Sequence, residues 1–352
     1  MSEIAVIGAG AWGTGIAIVL GRKGTHRVRL WAHETDVCES ITRRHVNEKF
    51  LPGRQIPDSV TASNDLAATL KDAQIVVSVM PSQHCRALFE RMRPLLPPRT
   101  LIVSATKGLE ENSLQRMTEV IHEVLTNKKA GAPSLSLRHG GDSDFPVGAL
   151  SGPSFAQEVA RGDPTAITIA SPDVALLRTV QHEFSDSSFR VYTNSDVIGV
   201  ELGGALKNIV AIAAGICDGL GFGHNSVAAL ITRGLAEMTR LVVACGGRAE
   251  TMAGLAGLGD LVLTCTGGLS RNRSVGVELG RGKKLPEIIA GMHGMVAEGV
   301  FTTSAAVGLA HARAVEMPIT EQMHAILHHG KSPREAIQQL MSRTGKSEST
   351  QS

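Results

Sequence analysis

The stretch that decides the fold is EIAVIGAGAWGTG, residues 3–15, in which a short apolar strand runs into a glycine-rich turn. Gly8, Gly10 and Gly13 have GxGxxG spacing, and the apolar run that follows them predicts a helix. The first glycine permits a tight turn, the second lets a pyrophosphate reach the backbone, and the third lets helix and strand pack closely. The helix N-terminus adds free N–H groups for phosphate. We therefore predict a dinucleotide-binding unit, with a βα turn that binds no ligand as the alternative.

Further apolar strand patterns follow this unit and alternate with helical patterns. They cover residues 28–32, 74–80 and 100–108, and three more lie between Val147 and Thr193. This alternation predicts the α/β class, with a Rossmann-like, mostly parallel and doubly wound sheet. From Asn194 the strand signal ends, which predicts an all-helical C-terminal domain. We expect a dinucleotide-binding domain over 1–193, a helical substrate domain over 194–341 and a disordered tail over 342–352, with a polar excursion at 127–146.

The amino-acid composition limits which binding partners and which cellular compartment we expect. Of 352 residues 43% are hydrophobic and 19% charged, and the formal net charge is +2. This balance gives no indication of a nucleic-acid partner or an anionic membrane surface. We find no apolar run that approaches a membrane span and no signal peptide, and the five cysteines lack CxxC spacing. We therefore expect a cytoplasmic protein with reduced thiols, no transmembrane segment and no metal.

The end of the second strand predicts which coenzyme is used. In a dinucleotide fold this position faces the adenosine ribose, where an acid favours NAD and a base favours NADP. Here His33 precedes Glu34, and Arg43 and Arg44 lie close in sequence. We expect either NADP or NAD to bind, with NADP at least as good. A solvated histidine at a strand end is the alternative for His33.

Two lysines are candidates for chemistry. Lys207 lies in the long helical stretch from Asp196 to Asp218, on a face of small residues that another molecule could approach. The alternative is that Lys207 extends from a buried helix to solvent. Lys107 follows the fourth strand, where ligands bind in such sheets, although a turn lysine is the simpler explanation.

The segment Gly257–Gly276 is unusually glycine-rich for a helical domain, and we expect tight loops around a ligand there. Ser270, Arg271 and Asn272 precede a predicted helix at 274–281, so they form a candidate phosphate receptor. Asp260 is an isolated acid in this segment. The alternative is that Arg271 pairs with Asp260 while Asn272 only caps the helix.

Six motifs together carry a family resemblance. GAGAWGTG, SATKGLE, LSGPSFAQEVARG, VELGGALKNIVAIAAG, GLGDLVLTCTGGLSRN and AEGVFTT occur in this order and span about residues 4–339. In this the chain resembles the bacterial-type NAD(P)-dependent sn-glycerol-3-phosphate dehydrogenases. The resemblance implies an oxidoreductase that interconverts glycerol 3-phosphate and dihydroxyacetone phosphate for phospholipid synthesis. We expect it to be a homodimer. Members often have Ser after GAG, where this chain has Ala11.

The resemblance also implies residue roles. Lys207 would be the proton acceptor. The implied coenzyme contacts are Gly8, Gly10, Ala11, Trp12, Gly13, His33, Lys107, Ala156, Arg271, Val296 and Glu298. The implied substrate contacts are Lys107, Gly152, Ser154, Lys207, Asp260, Ser270, Arg271 and Asn272.

Opposed effects are expected on the pKa of Lys207. Burial beside Arg271 would lower this pKa, whereas Asp260 and the substrate phosphate would raise it. Two other classes of protein stay open at this stage. One is another two-domain dehydrogenase, for a hydroxy acid or ketopantoate, and the other is a non-catalytic nicotinamide-binding sensor.

Overall fold

The structure is a computed structural model that describes residues 1–126, 145–292 and 295–345. Within these residues the strands are β1 (Ser2–Ile7), β2 (His26–Trp31), β3 (Val46–Asn47), β4 (Leu51–Gln55), β5 (Val60–Ser63), β6 (Ile75–Ser78), β7 (Leu101–Ser104), β8 (Val147–Ser151), β9 (Thr165–Ala170) and β10 (Phe189–Asn194). The helices up to β10 are α1 (Ala11–Arg22), α2 (Thr35–Arg44), α3 (Leu66–Leu70), α4 (Cys85–Met92), α5 (Met117–Thr126), α6 (Ala156–Arg161) and α7 (Val174–Phe184).

After β10 the described chain is helical. The helices are α8 (Val197–Gly219), α9 (His224–Ala244), α10 (Ala249–Met252), α11 (Asp260–Thr266), α12 (Arg271–Gly280), α13 (Leu285–Ala290), α14 (Glu298–Ala312), α15 (Pro318–His329) and α16 (Pro333–Met341). The predicted fold class is confirmed. The domain boundary near Thr193 stays a prediction, although the last strand ends close to it.

Eight strands form one sheet in the order β10–β9–β8–β7–β6–β1–β2–β5. β1 pairs in parallel with both β2 and β6, so that Ile7 lies level with Trp31 and Ser78. Only the pairing of β8 with β9 is antiparallel among the described strands of this sheet. The carboxyl ends of β1, β6 and β7 therefore meet at one edge, where open α/β sheets bind ligands.

The sheet is covered on both faces because its central strands are apolar throughout. Val77 and Val103 pack into the cluster that contains α1, whereas Val76 and Ile102 pack into the cluster that contains α4 and α5. Successive side chains of a strand point to opposite faces, so both faces of such a strand must be buried. The sheet is thereby a rigid support for the turns at its carboxyl edge.

Helix α8 is the centre of the helical part. It is long and apolar enough to cross a membrane, but 94% of the tested stretch is buried inside the fold. The expectation that no apolar run reaches this length was therefore wrong, and the physical reason for the run is burial on all sides. Glycines let α12 pack directly on α8: a Cβ at Gly215 would lie 2.0 Å from the Arg273 carbonyl oxygen, and one at Gly276 2.0 Å from that of Ile212.

Several elements differ from the sequence predictions. The β3–β4 hairpin and the edge strand β5 were not predicted. Tight loops were expected over Gly257–Gly276, but a π-type turn at Leu255–Gly259 leads into helix α11. α12 begins at Arg271, earlier than predicted, and residues 127–144 and 346–352, which hold most of the expected excursion and tail, lie outside the described residues.

Candidate active site

The glycine-rich turn, Gly8–Gly13, joins β1 to α1 and depends on its glycines in different ways. Gly8 has φ +117°, and a Cβ there would lie 2.1 Å from the Val79 carbonyl oxygen. A Cβ at Gly13 would lie 1.8 Å from the Gly8 carbonyl oxygen. A Cβ at Gly10 would meet no atom of the described residues within 4 Å, so there is open space beside it. Gly8 and Gly13 are thus needed by the fold, whereas Gly10 leaves room beside the turn.

The donors around that space fit a dinucleotide pyrophosphate. Gly10 is the N-cap of α1 and provides no side-chain cap, so the first N–H groups of the helix, at Ala11, Trp12 and Gly13, are available to an anion. The indole N–H of Trp12 is buried without a hydrogen-bond partner in the described residues. Ala11 has no hydroxyl to add a further donor.

The end of β2 leaves His33 accessible. His33 is exposed, and its ring centroid lies 5.9 Å from that of Trp31. Glu34 is the N-cap of α2 but makes no side-chain capping hydrogen bond. Both side chains can therefore reach a ligand at this strand end, and neither is committed to the fold.

A buried cluster of two lysines and one aspartate lies at the same sheet edge. We call Lys107, Lys207 and Asp260 the lysine–aspartate cluster. The Lys207 Nζ donates to Asp260 Oδ1 at 2.5 Å and to the Thr264 hydroxyl at 2.8 Å. The Lys107 Nζ donates to Asp260 Oδ2 at 2.7 Å. The Lys207 side chain is only 8% exposed, so the alternative in which it extends to solvent is wrong.

The charges of this cluster act on one another in a site largely closed to water. Burial lowers the pKa of Lys207 to about 8, which Lys107 reinforces and Asp260 opposes. Burial alone would raise the pKa of Asp260, but the two lysines hold it below its usual value. The cation that lowers the pKa of Lys207 is thus Lys107. The sequence predicted Arg271 as the cation beside Lys207, whereas the cation that shares the Asp260 carboxylate with Lys207 is Lys107.

The turn after β8 brings a carbonyl group to the cluster. Lys107 Nζ donates to the Gly152 carbonyl oxygen at 2.9 Å, and the Ser154 hydroxyl donates to the same oxygen at 2.9 Å. Gly152 has φ +137°, a conformation that favours glycine. Ala156 begins α6, whose backbone packs against Gly15 of α1. Gly152, Ser154 and Ala156 therefore lie between the cluster and the glycine-rich turn.

The N-terminus of α12 carries the predicted phosphate receptor. Ser270 is the N-cap, and its hydroxyl accepts from the Arg273 N–H at 3.2 Å. Arg271 is exposed and makes no hydrogen bond or ion pair within residues 1–126, 145–292 and 295–345. The alternative pairing of Arg271 with Asp260 is wrong, since both Asp260 oxygens bind lysines. Arg271 is therefore free to bind an anion.

Asn272 is more than a helix cap. Its amide donates to the Asn208 Oδ1 at 2.9 Å, and its Oδ1 accepts from the Gly299 N–H at 2.9 Å. The idea that Asn272 only caps α12 was wrong, because Ser270 provides the cap and Asn272 joins α8, α12 and α14. It thereby holds the three helices that surround the site in one arrangement.

The start of α14 contacts the sheet edge. Glu298 accepts from the Ser82 N–H at 3.0 Å and the Ser82 hydroxyl at 2.6 Å, and Arg271 acts on it electrostatically. Burial raises the pKa of Glu298, which these partners oppose. Val296 precedes this helix and is half-buried. The roles expected for all these site residues stay predictions, although most of the residues lie at this one edge.

Several neighbours of the site were not predicted from sequence. Thr264 binds Lys207, Asn208 binds Asn272, and Ser82 binds Glu298. Thr264 lies four residues after Asp260, and this helical spacing could have indicated it had α11 been predicted. Ser82 has no local signal, because its partner is 216 residues away in sequence.

A Rossmann-type sheet with an open glycine-rich turn, facing a buried lysine from a helical part, defines the class of nicotinamide-dependent dehydrogenases with a helical second domain. Two family models narrow this class. The N-terminal model of NAD-dependent glycerol-3-phosphate dehydrogenase matches residues 3–177, and the C-terminal model matches residues 196–338. The chain belongs to the NAD-dependent glycerol-3-phosphate dehydrogenase family.

Individual relatives agree with this membership over almost the whole chain. The glycerol-3-phosphate dehydrogenase [NAD(P)+] of Koribacter versatilis is 66% identical and covers 99% of both chains. The crystal structure of glycerol-3-phosphate dehydrogenase from Coxiella burnetii has 43% identity and a TM-score of 0.89, over 97% of this chain and 99% of that one.

A ketopantoate reductase from Ralstonia eutropha shares the fold at a lower level. It is 18% identical, with a TM-score of 0.58 over 95% of this chain and 99% of that one. At this identity the similarity concerns the fold alone. The alternative of a ketopantoate-type or hydroxy-acid dehydrogenase is therefore not favoured.

Proposed function

We propose that this protein catalyses the NAD(P)-dependent interconversion of sn-glycerol 3-phosphate and dihydroxyacetone phosphate, supplying glycerol 3-phosphate for phospholipid synthesis. The observation that carries this proposal is the lysine–aspartate cluster, in which one buried carboxylate holds two ammonium groups at the ligand-binding edge of a dinucleotide fold. A sensor that only bound nicotinamide coenzymes would not need to bury these charges.

The coenzyme would be held by the backbone of the glycine-rich turn. Gly8 and Gly13 shape the turn, Gly10 leaves space for the pyrophosphate, and the α1 N-terminus presents N–H groups. Trp12, His33, Ala156, Val296 and Glu298 are the proposed further contacts, together with Lys107 and Arg271. The bound coenzyme supplies or accepts the hydride.

The proton is handled by Lys207. During reduction of the ketone, the protonated Lys207 donates a proton to the carbonyl oxygen, which becomes the alcohol hydroxyl. During oxidation the neutral amine accepts that proton. A pKa of about 8 makes both forms of Lys207 accessible near neutral pH. Asp260 holds Lys207 and Lys107 by its two oxygens, so that both ammonium groups keep fixed positions.

The phosphate end of the substrate would bind at the start of α12. Arg271 supplies a guanidinium that makes no ion pair within the described part of the chain, and Ser270 and Asn272 flank it at the helix N-terminus. Gly152 and Ser154 would line the opposite side of the substrate, beside Lys107. This arrangement selects a small molecule with a phosphate at one end and a carbonyl or hydroxyl group near the lysines.

The same proposal includes the coenzyme preference, the oligomeric state and the cellular location of the protein. Exposed His33 next to Glu34 supports use of both NADPH and NADH, with NADPH at least equal. A homodimer and a cytoplasmic location are proposed from the family resemblance.

The proposal is tested by following NADH and NADPH oxidation with dihydroxyacetone phosphate as the substrate. We expect turnover with both coenzymes and little with unphosphorylated dihydroxyacetone. Ketopantoate and a 2-keto acid are the matched alternative substrates. Turnover of ketopantoate but not dihydroxyacetone phosphate would contradict the proposal, and binding of NADPH without turnover of any substrate would favour the sensor.

A further inference from the structure

The β3–β4 hairpin, Val46–Gln55, is joined to the glycine-rich turn by one buried side chain. Asn47 is 1% exposed and has no part in the sequence-derived site. Its Nδ2 donates to the Ala9 carbonyl oxygen at 2.8 Å and to the Thr14 hydroxyl at 2.8 Å. Its Oδ1 accepts from the Phe50 N–H at 3.1 Å. All the polar atoms of this side chain thus have partners.

The orientation of the Asn47 amide is fixed by the chemistry of these partners. The Ala9 carbonyl can only accept a hydrogen bond, and the Phe50 N–H can only donate one. The NH₂ group must therefore face the glycine-rich turn, and the oxygen must face the hairpin. The two ends of the side chain therefore have separate tasks. The Asn47 oxygen makes a hydrogen bond within the hairpin, and the Asn47 nitrogen makes hydrogen bonds to the glycine-rich turn and the start of α1.

Holding the Ala9 carbonyl fixes the direction of a neighbouring donor. The Ala9 C=O and the Gly10 N–H belong to one planar trans peptide, so they point in opposite directions. The Thr14 hydroxyl also donates to the Ala9 oxygen, at 3.3 Å. With that oxygen held from two sides, the Gly10 N–H points away from the hairpin. No hydrogen bond to the Gly10 N–H occurs within the described part of the chain.

We infer that Asn47 is a positioning residue for the coenzyme: it locks the Ala9–Gly10 peptide so that the Gly10 N–H faces the pyrophosphate-binding space. The inference rests on the proposed function, because it requires that a dinucleotide binds at this turn. Without the lock the peptide could rotate, and the N–H would have to be reoriented each time a coenzyme binds. Asn47 would thus act on coenzyme affinity and not on proton transfer.

Three variants separate the tasks. Asn47→Asp keeps the acceptor for Phe50 but has no NH₂ for Ala9, and Asn47→Leu removes both without adding a charge that could repel phosphate. Ser40→Ala is the matched control: the Ser40 hydroxyl donates to the Val46 carbonyl at 2.8 Å, so it anchors the same hairpin without touching the glycine-rich turn. Thermal melts establish that each variant is folded.

The measurements are equilibrium titrations with NADPH and NADH, followed by kcat and KM for dihydroxyacetone phosphate at saturating coenzyme. We expect both Asn47 variants to weaken coenzyme binding by about twofold to tenfold, the cost of ordering the freed peptide each time a coenzyme binds. Their kcat and substrate KM at saturation should stay close to those of the wild type. Ser40→Ala should lower the melting temperature without changing coenzyme affinity.

The outcomes distinguish this inference from the proposed function. If the wild type binds neither coenzyme, the proposed function fails before any variant is compared. If the wild type binds coenzyme, and a folded Asn47→Leu protein binds it equally well, the positioning role is wrong. An Asn47 variant whose melting temperature falls while its coenzyme affinity stays unchanged would also overturn the inference. If Asn47→Asp does not fold, Asn47→Leu and Asn47→Ala provide the same comparison.

Discussion

The glycine-rich turn and the lysine–aspartate cluster lie at one sheet edge but are built in opposite ways. The turn offers backbone N–H groups and open space beside Gly10, without any charged side chain of its own. The cluster offers two ammonium groups on one buried carboxylate. The residues of the turn come from one short stretch of chain, which Asn47 supports from the hairpin, whereas the cluster joins residues 153 positions apart. From this difference we expect that substitutions in the two regions will alter coenzyme binding and proton transfer separately.

The strongest way to test this separation is Lys207→Met. Methionine keeps most of the length and apolar stem but cannot transfer a proton, so the chemical step should fall by about 10²–10⁴-fold. Coenzyme affinity should change little, because the turn is elsewhere. The measurement is single-turnover reduction of dihydroxyacetone phosphate, with NADPH titration and thermal melts as controls. A folded variant with more than about a tenth of the wild-type rate would contradict proton transfer by Lys207.

Gly10→Val tests the opposite side of the comparison. The added side chain enters the open space, and we expect coenzyme binding to weaken by roughly tenfold to hundredfold, as for overpacking that costs about 1–3 kcal/mol. Gly223→Val is the control, because Gly223 is also an N-cap with nothing within 4 Å of a Cβ. The measurement is calorimetric titration with NADPH. If the folded Gly10→Val protein binds NADPH with unchanged affinity, the pyrophosphate does not bind beside Gly10.

Arg271→Ala tests the proposed phosphate receptor in the helical part. Loss of a charge-assisted contact of about 1.5–3 kcal/mol should weaken dihydroxyacetone phosphate binding by roughly tenfold to hundredfold. The neighbouring Arg273→Ala is a matched control, since Arg273 is already paired with Asp218. Steady-state KM values for dihydroxyacetone phosphate and dihydroxyacetone give the readout. Equal losses for the two substrates would mean that Arg271 does not bind the phosphate.

The smallest expected effect is a pH dependence that belongs to the cluster alone. Lys207 is protonated below its pKa of about 8 and neutral above it. kcat/KM for ketone reduction, which needs the acid, should therefore be level at lower pH and fall as pH rises through about 8. kcat/KM for glycerol 3-phosphate oxidation should rise through the same range. Coenzyme affinity should not follow this curve, and reduction that stays flat from pH 7 to 9.5 would exclude Lys207 as the acid.

Local sequence patterns predicted the turn and the central strands well, because both depend on neighbouring residues. EIAVI and the glycines after it determine their own strand and turn. The β3–β4 hairpin was missed because LPGRQ, the sequence of β4, contains proline and glycine and only one buried residue. α11 was missed because the glycines before it suggested loops, whereas they form a π-type turn that leads into the helix.

The candidate site could be predicted only as a set of residues and not as contacts. Lys107, Lys207 and Asp260 were each singled out, but their shared carboxylate depends on how β7, α8 and α11 pack together. For the same reason, the sequence predicted Arg271, and not Lys107, as the cation beside Lys207. Asn47 carries no local signal of importance, since its partners Ala9 and Thr14 become neighbours only when the hairpin packs on the turn.

The glycine contacts between α8 and α12 fix the distance between two residues of the proposed substrate site. Lys207 lies on one helix and Arg271 at the start of the other, and at Gly215 and Gly276 the two backbones touch without intervening side chains. Helices packed in this way cannot shift apart or slide without losing that contact. If the two residues bind opposite ends of the substrate, backbone contact sets the accepted chain length. Redesign for a longer phosphorylated ketone would then have to begin at these glycines, about two helical turns from Lys207 and about one and a half turns from Arg271.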